Sequence, residues 1–490
     1  MKMVKSLLLV SAAGFVVAAS GAMAADLPVK AKPVEYVKVC SLYGAGFYYV
    51  PGTDICMKVG GYIRYQQDFG QGSSISVGGL AGPGGRANRL DSQDYASRTR
   101  AVATFDTRQQ TAYGTLRTYL LMGFQQDSTT APGVSPNVYM TRGFIQLAGF
   151  TFGKAVSFFD FANTAAVAYN AGFNHNSSTG DGGQVVAGYT AQFGNGLSAT
   201  IAAEQSRRAN TVDTDLGGYT AGLGNTPAVS NMGSNGGTSG VGLADFVANI
   251  RVDQAWGSAQ ISGALHDARA AYYSAGVTPG VLEVNGHPSD KWGWAVSAGL
   301  RLNAPMIGPG DYFQGQVVYS KGAIKYASQT PSGSTMQRWS GQDVGFGFWE
   351  DGVFETGSNV ELTKAWSLFA SYEHFWTPSL RTSVYGSYID VSHSATANAM
   401  ICGSGGIFAG ADAGCNADWS AFTVGSRTQW DITKGLYVGL DVIYQKLNTA
   451  QVNTLGLVGA GAGAKRADIY NVRDQDNWVA TWRIQRDIVP

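Results

Sequence analysis

The chain has 490 residues, with 34 Lys and Arg against 34 Asp and Glu, so its formal charge is zero, and it carries 66 Gly, 24 Tyr, 22 Phe and 11 Trp. A neutral balance argues against a nucleic-acid partner, and glycine at nearly twice the usual ~7% argues against an ordinary helical domain. Past the first 24 residues no apolar run reaches 18, so no membrane-spanning helix is encoded.

The N-terminus reads as a secretory signal. Met1–Lys5 is short and basic, Ser6–Ala19 is apolar, and Ala22-Met23-Ala24 is a small-x-small cleavage site. Removal of residues 1–24 takes away Lys2 and Lys5 and leaves a formal charge of about −2. An exported chain that is helix-poor, glycine-rich and aromatic-rich fits a closed β-barrel in lipid. There every backbone polar group must be paired, and closure removes the edges. The four cysteines fall in two close pairs. Of the three possible pairings, the spacing favours Cys40–Cys56 and Cys402–Cys415. No CxxC is present, which argues against a metal site.

Residues 25–56 read as a periplasmic segment with a disulfide-closed turn, and residues 57–490 as the barrel. Apolar residues should face lipid and polar ones the lumen, alternating with period two. Met57–Gln67 sets Val59, Ile63 and Tyr65 against Lys58, Tyr62, Arg64 and Gln66. Ala96–Asp106 puts Arg98, Arg100 and Asp106 on one face. A four-residue turn, Thr107–Gln110, is expected before Thr111–Met122, which carries Arg117. Val138–Ala148 sets Arg142 and Gln146 inward. Thr151–Ser157 is a short fifth run.

The chain then leaves the wall through Phe158-Phe159-Asp160-Phe161, and no further strand begins until Gln184. This stretch, about 157–183, reads as a loop folded into the bore. Gln184–Phe193 and Leu197–Gln205 flank Asn195-Gly196, a hairpin signal. Arg207–Gly242 is rich in Gly, Asn, Thr and Ser and reads as a long outer loop. Ala244–Asp253, Ser258–His266, Lys291–Asn303 and Tyr312–Ser320 follow. Lys364–Trp376 places Trp366 and Trp376 on one face. At ~3.3 Å per residue and a tilt near 40°, that separation spans roughly 25 Å, about the height between aromatic girdles. Leu380–Val391, Ala421–Asp431, Leu436–Gln445 and Trp478–Gln485 complete the wall. About seventeen runs are visible. Alternating short turns with long loops back from the C-terminus puts Val344–Phe348 in a loop and leaves sixteen strands, with the 157–183 excursion third among the outer loops.

Four long stretches carry a family resemblance: ADLPVKAKPVEYVKVCSLYGAGFYYVPGTDIC (25–56), VGGYIRY (59–65), AGFTFGKAVSFFDF (148–161) and YEHFWTPSLRTSVYG (372–386). The chain resembles the general porins of alphaproteobacteria along nearly its whole length. That resemblance implies a sixteen-stranded homotrimer in the bacterial outer membrane with the third loop in the bore. It also implies contact with outer-membrane lipid and lipopolysaccharide, and passive diffusion of small hydrophilic solutes with no cofactor. Such barrels commonly end on an aromatic residue, whereas this chain ends Arg486-Asp487-Ile488-Val489-Pro490.

The expected pore constriction sets Arg64, Arg98, Arg100, Arg117 and Arg142 on the wall against Asp160 and Asp181 on the loop, giving a transverse field focused by low-dielectric walls. The alternative is that some arginines pair with carboxylates such as Asp106. Phe158, Phe159 and Phe161 are expected to pack the loop onto the wall, and His175 reads as a solvated loop residue. A sugar-selective pore would need a lumenal aromatic ladder, and only Tyr62, Tyr119 and Tyr437 are visible. An enzyme would need a nucleophile–base pair, and none is recognisable. A blocked adhesin barrel is the remaining rival.

Overall fold

The computed structural model describes residues 38–70, 95–128, 135–215, 240–273, 283–329, 335–403, 414–451, 454–458 and 468–489. The signal segment, residues 25–37 and the core of the 207–242 loop lie outside the described residues.

Alternation of apolar and polar residues at period two builds one continuous sheet. Its strands are β1 (Cys56–Gly70), β2 (Tyr95–Thr111), β3 (Gly114–Asp127), β4 (Asn137–Leu147), β5 (Phe150–Ala155), β6 (Gln184–Gly194), β7 (Leu197–Glu204) and β8 (Asp245–Gln254), then β9 (Gly257–Asp267), β10 (Trp292–Asn303), β11 (Tyr312–Lys321), β12 (Lys364–Thr377), β13 (Leu380–Ser392), β14 (Trp419–Thr433), β15 (Leu436–Asn448) and β16 (Gln475–Asp487). Each pairs antiparallel with its sequence neighbour, and β1 pairs with β16, so the ring closes without an edge. The two-residue strand Tyr48–Tyr49 adds to β1 beside the Cys40–Cys56 disulfide.

The wall shows the alternation directly. On β12, Ser367, Phe369, Ser371 and Glu373 are buried inside while Trp366 and Leu368 are exposed outside. On β14, Thr423, Arg427 and Gln429 point in while Val424 and Trp430 point out.

Short turns occupy one end and long loops the other. The β6–β7 turn is Asn195-Gly196, both at positive φ. A Cβ at Gly196 would lie 1.9 Å from the Asp253 carbonyl oxygen, so only glycine fits there. One expected turn is misplaced. Thr107–Gln110 belongs to β2, which runs to Thr111, and the turn is Ala112-Tyr113. Polar residues there still pair in register, Arg108 with Arg117 and Gln109 with Leu116, so polarity marked the end of the apolar band and not the end of the strand.

The long loops have a structure of their own. Asp343–Phe348 pairs with Thr335–Ser340 outside the barrel sheet, so Val344–Phe348 is loop structure and the wall has sixteen strands. Glu350–Phe354 pairs in parallel with Asn210–Asp213. Trp349, Phe346, Phe348 and Met400 pack there against Ala365, Ile389, Val391 and Ala421 of β12–β14. The inner face of those strands is therefore apolar at its loop end. The Cys402–Cys415 disulfide joins the same cluster. No helix among the described residues is long and apolar enough to cross a membrane; the strands form the wall.

Candidate functional site

Residues 156–183 enter the lumen from β5 and run around its inner face. Glu204 of β7 receives the first turn, accepting from the Ser157 hydroxyl (2.5 Å) and the Phe158 N–H (2.8 Å). Asn249 of β8 donates to the Phe158 carbonyl, and Gln314 of β11 to that of Asn163. Arg427 donates to the Ala166 carbonyl and the Ser383 hydroxyl to that of Val167. Asp441 of β15, fully buried, accepts from the N–H groups of Tyr169 and Asn170 and from the Tyr385 hydroxyl. The segment then doubles back. The His175 N–H donates to Ser387, and Asn176 to Gln316. Most of these contacts satisfy a backbone group that a loop inside a barrel would otherwise leave buried and unpaired.

Aromatic side chains seat the segment on glycines of the wall. A Cβ at Gly188 would lie 2.7 Å from the Phe158 ring, and one at Gly299 2.3 Å from that of Phe161. Phe159 is fully buried against Tyr326, Val247 and Ala295. Tyr169 lies over Gly439, with Arg483 4.0 Å and Arg427 5.6 Å from its ring centroid.

The arginines lie on the opposite side. Arg64 and Arg100 face each other in register across β1 and β2. Arg64 donates to Gln485 (2.8 Å), and Arg100 to Gln125. Arg98 makes a two-bond ion pair with Asp127, the shorter contact being 2.6 Å. Arg117 makes one with Asp106, which also takes Arg108, so part of the wall does pair internally. Arg142 donates to the carbonyls of Gly180 and Asp181 and ties the returning end of the segment to β4.

The two expected loop carboxylates part company. Asp181 is 63% exposed at its side chain and 3.5 Å from Arg100. Asp160 corrects the expectation: it is 6% exposed and turned into the packing. It accepts from Arg207 (2.7 Å), from the Ser177 and Thr179 hydroxyls and from the Thr179 N–H. Burial works against the Arg207 charge, but Asp160, with Tyr326 and Glu204, outweighs it and holds that guanidinium above its usual pKa. His175 is also corrected. It is 1% exposed, and burial pushes its imidazole down to about 3, so it stays neutral.

Between the segment and the arginine side lies a cavity of about 400 Å³. It is lined by Arg64, Gln66, Arg98, Arg100 and Arg483 on one side and by Thr164, Tyr169, Ser178 and Asp181 on the other. A second chamber of about 280 Å³ shares Arg64, Arg100 and Asp181 and adds Arg117 and Arg142. Arg483 lies on the inner face of the last strand, β16, and was not among the expected constriction residues. Ring closure sets it against Gln66 of β1, which accepts from it at 2.6 Å. Asp213 sits in the parallel pair, and no metal-ligand cluster occurs among the described residues.

A family model described as "Porin subfamily" matches residues 26–481. Porin Omp2a of Brucella melitensis biotype 1 is 32% identical over 331 residues, covering 62% of this chain and 82% of that protein. Porin Omp2b of the same organism is 33% identical over 322 residues, covering 61% and 81%. Among solved structures, the outer membrane channel DcaP of Acinetobacter baumannii superimposes with a TM-score of 0.58 at 13% identity, covering 90% of this chain and 99% of that one. That likeness bears on the fold.

Proposed function

The chain belongs to the Porin subfamily, and on that premise we propose that the diffusion channel it forms in the outer membrane favours small hydrophilic anions. It is a channel and not an enzyme. The observation that carries the anion reading is the surplus of guanidinium at the narrow passage. Arg64 and Arg483 line the cavity with no carboxylate partner among the described residues, and Asp181 stands as the exposed counter-charge. In a narrow bore the surrounding low-dielectric wall concentrates that field on the permeating ion. The constriction lies between the 156–183 segment and the wall made by β1–β4 and β16. Arg64, Arg100, Arg483 and Asp181 set its charge, Arg142 holds the segment's end, and Asp160 acts behind it as a clamp.

The test is the reversal potential of the refolded mature chain across a potassium chloride gradient. The anion sign is expected, moving toward cation preference in Arg64→Ala and Arg483→Ala. A cation sign in the unsubstituted chain overturns the reading.

We further propose a homotrimer, with residues 1–24 removed on export. All eleven tryptophans follow residue 255. Trp292, Trp294, Trp366, Trp376, Trp430 and Trp478 face outward, whereas the outward aromatics of β1–β7 are Phe and Tyr, among them Phe69, Tyr95, Phe150 and Tyr189. The outward face of β2 and β3 offers instead Thr99, Ala101, Ala103 and Thr118, a surface suited to a second copy, while the tryptophan side meets lipid and lipopolysaccharide. Unheated gel mobility and native mass spectrometry should report three copies. A monomer in mild detergent would count against this assignment.

A further inference from the structure

The second chamber has walls that a passage for simple ions does not need. Register sets Tyr119 of β3 opposite Phe144 of β4, and their rings stack at 5.4 Å and 22°. Phe144 faces the lumen, is half-buried and joins none of the apolar clusters among the described residues. Elsewhere, lumen-facing aromatics such as Phe369 and Tyr385 are buried under loop structure. A half-buried aromatic pair bordering a water-filled chamber leaves part of its apolar surface wet, at a cost that a flat ligand would remove.

The charges around this pair are held in position. Arg117 lies 5.4 Å from the centroids of both rings. Arg64 sits 4.5 Å over Tyr62, and Arg100 5.2 Å over Tyr139. Stacking fixes a guanidinium plane and leaves its in-plane N–H fork to meet a carboxylate. Arg64 commits its Nε to Gln485, and no carboxylate among the described residues takes the rest of its fork. Asp181, the carboxylate lining the chamber, makes only a partly solvated contact with Arg100, the kind of pair an incoming anion displaces at little cost.

We propose that this chamber is a binding subsite for planar aromatic carboxylates, with the ring laid against Tyr119 and Phe144 and the carboxylate taken by Arg64 and Arg100. The inference rests on the anion reading of the pore and adds a substrate class to it. A volume of about 280 Å³ admits a single substituted ring with its waters. A neutral sugar lacks the charge, and a saturated ring of equal charge lacks the flat face.

The experiment measures block of chloride current through the refolded mature chain by benzoate, cyclohexanecarboxylate and benzamide, each added to one side of a planar bilayer. Benzoate should block at a concentration roughly three- to tenfold lower than cyclohexanecarboxylate, the span expected for one aromatic pairing. Benzamide should block least. Phe144→Leu and Tyr119→Leu should each bring the benzoate-to-cyclohexanecarboxylate ratio toward one. Should either variant fail to fold, the comparison on the unsubstituted chain decides alone. Equal block by the two carboxylates, or benzamide blocking as well as benzoate, overturns the subsite while an anion-sign reversal potential leaves the pore reading standing. A cation-sign reversal potential takes down both.

Discussion

The two halves of the lumen wall follow the same rule in sequence and do different work. Both β2 and β13 turn polar residues inward, Arg98, Arg100 and Asp106 on one and Ser383 and Ser387 on the other, with Ile389 and Val391 turned in only at the loop end of β13. On β13 and its neighbours these side chains are consumed. Ser383, Gln314, Asn249 and Asp441 hydrogen-bond the backbone of the 156–183 segment and are themselves buried. On β1–β4 the segment touches the wall at its returning end, through Arg142, and the other guanidinia border the open cavities. Inward polarity therefore marks the inside of the barrel, and only the course of the loop divides that inside into a dry half and a wet one.

The largest test of this division is Arg207→Leu, which leaves Asp160 buried without its cation in the dry half. Removing one member of a buried pair costs about 3–5 kcal/mol. The segment should unseat, with larger and noisier single-channel currents; conductance identical to the parent would show that the clamp does not hold it. Next is Asp441→Ala, which strands two backbone N–H groups and the Tyr385 hydroxyl. At about 1–3 kcal/mol for each unpaired buried group, it should also open the pore, and restoration by Asn should be partial.

The loop-end cluster offers a pH test. Burial lowers the His393 pKa, but hydrogen bonds and charges from Asp418 and Glu350 outweigh it and hold it up at about 9. A group raised in the folded state stabilises fully below its unfolded value near 6.5 and loses that contribution as pH rises through about 9. Near-ultraviolet dichroism of the adjacent Trp349–Trp419 pair should therefore be strongest at pH 6, weaken as the pH rises from 6.5, and be least above 9. A flat signal to pH 10 would remove His393 from the account. The smallest stability effect belongs to the wet half. Arg64→Ala should change the unfolding midpoint by no more than about 0.5 kcal/mol equivalent, since its partners remain solvated. A collapse in stability would place Arg64 among the structural residues.

The wall was legible because period two in sequence becomes two faces in space, and the alternation of short and long connections counted the strands. What escaped was what period two does not encode. The parallel pair Asn210–Asp213 with Glu350–Phe354 joins two loops whose contact depends on the closed ring. The arginine face could be read from Arg64, Arg98, Arg100 and Arg117, because a strand fixes where its side chains point. Asp160 could not, because a loop residue has no such constraint and its partner Arg207 is 47 positions away. The one available signal was Arg207-Arg208 itself, two cations at the head of an otherwise glycine- and asparagine-rich loop. The aromatic chamber was half visible: Tyr62 and Tyr119 stood out singly, and only the β3–β4 register showed that Phe144 completes a wall.

The contacts of Tyr169 and Asn170 with β15 and β16 bear on how the ring is closed. Asp441 and Thr481 hold this turn from the last two strands of the chain, and β16 also forms the seam with β1. Thr481 binds both Asn170 and Asp68 of the first strand, so a single hydroxyl joins the bolt to both sides of the door. The turn that narrows the bore is thus fastened to the strand that seals the barrel, so the width of the pore and the closure of its wall lean on the same hydroxyl.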